Sequence, residues 1–126
     1  MVTVENDGPF ASANGAEIDA YRDGSYETIP TAWFAPSATP GDPTTFGHWG
    51  LTSDDATTTR TAEFAPDTWV AASTSPVVVM SYDGPTDGTG TGIGTTRVGY
   101  RVEISALQEA ASDYSTRLRY VATPIF

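Results

Sequence analysis

Lysine is absent from this sequence. Its 126 residues carry 16 Asp plus Glu against six basic residues, all of them arginine: Arg22, Arg60, Arg97, Arg101, Arg117 and Arg119. An average soluble domain of this length holds roughly seven lysines. Cysteine is absent too, which excludes disulfides, thiolate metal sites and cysteine nucleophiles. Histidine occurs once, as His48. Long apolar runs are missing: the longest aliphatic stretch is Val77-Val78-Val79-Met80, far short of the roughly 20 residues a membrane-spanning helix needs. No membrane insertion is expected. Met1 is followed by Val-Thr-Val-Glu-Asn-Asp, neither basic nor strongly apolar, so no signal peptide is read. The expectation is that the chain folds where it is made, or that Met1 stands in place of a removed leader.

What is present is acid. The formal net charge is −10 at pH 7, and in dilute buffer such a surplus repels itself and weakens the compact state. At 1 M salt the Debye length falls to about 3 Å and the repulsion is screened. Carboxylates then keep a protein hydrated, whereas long lysine stems add apolar surface that high salt drives toward association. A GC-rich genome also depletes lysine, but it raises arginine, and arginine is scarce here. The same balance speaks against nucleic-acid binding, which requires clustered Lys and Arg. Arg97, Arg101, Arg117 and Arg119 can form one stripe, but in so negative a field they read as ion-pair partners and solvated strand faces.

The length suits a single domain. Residues 1–45 are rich in turn formers: Asp7-Gly8-Pro9, Asn14-Gly15, Asp23-Gly24 and Pro40-Gly41-Asp42-Pro43. Short extended pieces fit near residues 25–29 and 32–34. This region is either an arm that docks on a partner or a loop-rich edge of the fold. Residues 46–126 read as its core. Strands are expected over 46–51, 57–64, 69–72 and 77–82. In 97–104, Val98, Tyr100, Val102 and Ile104 share one face and Arg97, Gly99, Arg101 and Glu103 the other. Ser105 and Gln108 fit a capping box, predicting a short helix over 105–112. A last strand covers 114–123. Strands about ten residues apart with rich turns predict an all-β protein, an antiparallel β-sandwich of immunoglobulin-like or jelly-roll-like kind.

No motif names a reaction. The glycine run at 88–94 lacks both the G-x-G-x-x-G spacing and a following Gly-Lys-Ser/Thr. It is flanked by strands, so no helix N-terminus is present to hold a phosphate. Asp83 and Asp87 share this loop, but no glutamate completes a calcium loop. His48 has no second histidine or cysteine near it, no serine sits in a nucleophile elbow, and the adjacent Asp54 and Asp55 point to opposite sides of an extended chain. They read as a solvated loop rather than a converging acid pair. No catalytic residue, metal or cofactor is therefore assigned. Aromatics offer the better candidates. Trp33 and Phe34 are consecutive, so on a strand one of them faces away from the core and is a candidate interface anchor. His48 and Trp49 on the next strand join them as interface candidates.

The lysine-free acidic composition resembles structural proteins of halophilic archaea and their viruses, and residues 117–126 look like the closing strand of a small β-sandwich. The resemblance implies a non-enzymatic virion protein, a capsid decoration or turret component. Its partners are other protein subunits, copies of itself and neighbouring structural proteins, in a homo-oligomer. An alternative is a subunit of a cell-surface filament or coat built by strand addition, which needs a leader removed before Met1. A third reading, a small carbohydrate-binding module, rests on the aromatics alone.

Overall fold

Val2-Thr3-Val4 alternates outward and inward with β-branched side chains, and the segment it opens is a central strand. In a computed structural model, described for residues 1–55, 64–86, 88–90 and 93–124, the strands are β1 (Val2–Asn6), β2 (Phe10–Ala11), β3 (Glu17–Ala20), β4 (Thr31–Ala32), β5 (Gly47–Ser53), β6 (Thr68–Ala71), β7 (Val77–Met80), β8 (Val98–Ile104) and β9 (Leu118–Ala122). A 3₁₀ turn over Pro43–Thr45, capped by Asp42, is the only helical element among the described residues. The protein is all-β and sandwich-like.

A small antiparallel sheet runs β7-β1-β9. The larger sheet is organised around β5. One edge of β5 pairs with β8 along its whole length, while the other is shared by β3 and β6. The β3–β5 pairing, Asp19 to His48 and Ala20 to Trp49, is parallel, so the larger sheet is mixed rather than purely antiparallel. Val4, Ile18, Trp49, Leu51, Val70 and Val79 fill the space between the sheets. The opposite face of β5 is covered as well. Tyr21 and Ala71, with Trp33 and Trp69, form a second apolar layer there.

Residues 1–45 are therefore no separate docking arm. Val4 and Ile18 lie in the main core, and Tyr21 is fully buried in the second layer. The turn dipeptides conceal two short alternations, Val2/Val4 and Ile18/Ala20, that carry these strands inward. The extended piece near 25–29 is not a strand; the one near 32–34 is β4, over Thr31–Ala32. The strand expected over 57–64 falls, except for Phe64, outside the described residues, and Phe64 is a buried core residue.

The helix expected over 105–112 is a turn. Its N-cap forms, since Ser105 Oγ accepts the Leu107 N–H at 3.2 Å. The other half of the capping box does not. The Gln108 amide donates instead to the Glu17 carbonyl (2.9 Å) and the Tyr114 hydroxyl (3.0 Å). Those tertiary bonds prevail because so short a helix has little stability of its own.

Asp54 and Asp55 differ from the solvated loop expected of them. Asp54 is exposed and accepts from the Arg97 N–H (2.7 Å) and Thr96 hydroxyl (2.8 Å). Asp55 is fully buried, and its Oδ2 accepts the Ser81 N–H at 2.8 Å. It thereby fastens the end of β5 to the chain leaving β7.

Candidate interface

The four aromatic candidates do not share a surface, because strand alternation separates them. Trp49 points into the main core, edge-on to Phe10 at 5.4 Å between ring centroids. His48 points to the opposite side and is fully buried beneath the second layer. Its Nε2–H donates to the Phe34 carbonyl at 2.9 Å. A carbonyl only accepts, so Nε2 carries the hydrogen. Nδ1 lies 3.1 Å from the Asp23 backbone nitrogen and 3.0 Å from the Asp23 carboxylate. The pair has the outline of a histidine beside an acid, but Nε2 is bonded to a main-chain carbonyl rather than to a nucleophile. It clamps the turn at residues 23–24 and the Phe34 backbone onto β5. His48 and Trp49 are thus interior residues, contrary to their assignment as interface residues.

Trp33 and Phe34 do reach solvent. Trp33 stacks on Tyr21 at 4.7 Å and 8°, meets His48 and Trp69 edge-on, and carries the Arg101 guanidinium 4.6 Å from its ring centroid. Its indole N–H donates to Glu103. Phe34 is exposed, with Arg22 stacked 3.9 Å over its ring.

The larger exposed apolar surface lies where sequence reasoning placed core. Tyr100, Val102 and Ile104 do share the face of Trp49 and Leu51, their neighbours across β5. Yet Tyr100 is 38% exposed, Val102 47% and Ile104 56%. The small sheet ends at β9 and leaves them uncovered. Tyr120 of β9 (48% exposed) reaches across, and its hydroxyl bonds that of Tyr100. Partial burial, and then the Tyr120 hydroxyl, push the Tyr100 phenol well above its usual range, so it stays protonated. Alternation reveals that these side chains share a face; it does not reveal how far the opposing sheet extends.

The acidic surplus leaves a mark inside the fold. Partial burial, followed by repulsion from Glu17, Asp42 and Asp23, raises the Asp19 carboxyl to about 6. A carboxyl raised in the folded state contributes stability below its unfolded pKa, near 4, and loses it as pH rises through about 6. Asp19→Asn should therefore stabilise the protein at about pH 7.5, by about 1 kcal/mol after allowance for solvent screening. The gain should vanish near pH 4. Melting curves of both proteins from about pH 4 to 8 check this; a gain largest at low pH would reverse the assignment.

Among the described residues no three His, Cys, Asp or Glu side chains converge on a possible metal position. Asp83 is described, while Asp87, its proposed companion, lies outside the described residues. Comparison with protein families, curated proteins and solved structures finds no match to this chain.

Proposed function

We propose that this chain is a non-enzymatic structural subunit of the particle of a virus infecting a halophilic archaeon, mounted on the capsid as a decoration or turret component. The observation that carries the reading is the uncovered apolar row of Tyr100, Val102 and Ile104 on a chain of net charge −10. A long edge strand with exposed apolar side chains is a liability unless another protein covers it. The acidic, lysine-free composition supports the setting, because it keeps such a subunit soluble in molar salt. The second reading, a cell-surface filament or coat assembled by strand addition, draws support from the outer edges of β8 and β9, which no strand pairs among the described residues.

Light scattering and electron microscopy at about 2–3 M KCl separate the two. Discrete closed assemblies are expected for the capsid-mounted part, because closed symmetry limits growth. Open-ended fibres would favour the filament. A monomer at every protein concentration would remove the support for both.

A further inference from the structure

The outer edge of β8 carries an ordered row of backbone groups that are unpaired among the described residues. Two bonds that flank the strand set its phase: the Ser105 N–H donates to the Phe46 carbonyl (2.7 Å) and the Asp54 N–H to the Arg97 carbonyl (3.1 Å). In an antiparallel pair such bonds recur at every second residue. Odd-numbered residues of β8 therefore bond β5, and the N–H and C=O groups of Val98, Tyr100, Val102 and Ile104 point away from it. Among the described residues none pairs with them. The same phase argument, from Asp7 N–H to the Arg117 carbonyl and Thr123 N–H to the Met1 carbonyl, leaves Leu118, Tyr120 and Ala122 unpaired among the described residues on the outer edge of β9.

The geometry points to a second copy of this chain as the occupant of the β8 edge, added antiparallel about a two-fold axis at Val102. Charge selects the copy. Arg97, Arg101, Arg117 and Arg119, four of the six arginines, lie on or beside β8 and β9, so two molecules of net charge −10 repel least through this side. Charge also selects the register. An axis at residue 101 sets Arg101 against its own copy, and one at residue 103 sets Glu103 against its own copy; like charges directly opposite are unfavourable. An axis at Val102 sets Arg101 against Glu103 of the other copy twice, and Tyr100 against Ile104 twice. An axis at Tyr100 avoids like charges too, but it sets Ile104, the most exposed residue of the row, opposite Thr96 beyond the strand. Both charged side chains are partly exposed and able to reach across, being 3.4 Å apart within one copy.

This inference rests on the structural-subunit reading, and its test separates the two. Sedimentation velocity is run at about 1 M KCl on the whole chain, with circular dichroism to verify folding. The unaltered protein should dimerise. Arg101→Glu and Glu103→Arg should each weaken the dimer about tenfold or more, and the double variant should restore it. Val102→Pro should keep the monomer's spectrum, since the lost N–H points away from β5, and abolish the dimer. Rescue of Glu103→Arg by Arg97→Glu instead would overturn the register. A dimer indifferent to all these changes would overturn the surface while leaving assembly intact. A monomer throughout would overturn both the inference and the reading beneath it, and leave the edge to a different protein.

Discussion

Gly50→Ala should be the most destabilising small substitution in the larger sheet. A Cβ at this position would stand 2.6 Å from the Val70 carbonyl oxygen, 3.1 Å from Tyr21 Cβ and 3.5 Å from the Trp33 ring. The nearest obstacle is backbone. Val70 belongs to β6, which is paired with β5 at this point through Gly50–Ala71 and Leu51–Val70, so the carbonyl can retreat only by opening the ladder. The other obstacle is the Tyr21–Trp33 stack, which lies on β5 because Gly50 has no side chain. Overpacking costs about 1–3 kcal/mol where side chains yield. With backbone in the way and the stack displaced, about 4 kcal/mol is expected, a large part of the roughly 5–15 kcal/mol that holds a domain together. Denaturant titration followed by circular dichroism measures it. Gly8, where a Cβ would meet nothing within 4 Å, supplies the control: Gly8→Ala should stay within about 0.5 kcal/mol of the parent. An unchanged midpoint for Gly50→Ala would mean that the second layer does not pack as closely as described.

The other large effect is that of salt. Raising KCl from about 0.1 to about 3 M should increase the melting temperature by more than about 10 °C. The carboxylates outnumber the arginines by ten charges. The ion pairs Arg117–Asp7 at 3.3 Å and Arg119–Glu5 at 3.2 Å are exposed and contribute little. At Asp19, repulsion from Glu17, Asp42 and Asp23 adds to partial burial, the larger cause, in raising the carboxyl. Salt shortens that repulsion and strengthens apolar burial at the same time. A 10 °C rise corresponds to about 3 kcal/mol for a domain of this size. A melting temperature that is flat or falling over this range would count against the screening argument.

Four of the strands, three in the larger sheet and one in the small sheet, were legible in the sequence. Alternation and β-branched runs locate β5, β6, β7 and β8 to within two residues, because these strands are framed by strong turn chemistry. The N-terminal strands were less legible. β1 and β3 are short, and the dense glycine and proline pairs around them outweigh two-residue alternations. The 105–112 stretch carried a sound capping signal, but Gln108 found partners on β3 and in Tyr114 that no local pattern encodes. For the interface, the sequence suggested that one of Trp33 and Phe34 faces away from the core if the two lie on a strand; the strand, β4, ends at Ala32, and Phe34 is exposed. Sequence reasoning placed His48 and Trp49 beside them because adjacency in sequence resembles adjacency in space, and on a strand it is the reverse. The edge row on β8 was read only as one shared face, since an inward-facing side chain and a covered one have the same sequence.

The β1–β9 pairing has a consequence for the order of events during synthesis. Met1 and Thr123, 122 positions apart, are hydrogen-bonded neighbours at 2.9 Å. β1 is the middle strand of its sheet, and both of its neighbours come from the second half of the chain. Strands β2, β3, β5 and β6 can begin to pair while the ribosome is still extending the polypeptide. The small sheet cannot, because its central strand has no partners until residues 77–80 and then 118–122 have emerged, and closing so long a loop carries an entropic cost that slows folding. The nascent chain must therefore carry Val2 and Val4 without strand partners until residues 77–80 have been made, and the small sheet stays incomplete until residues 118–122 follow.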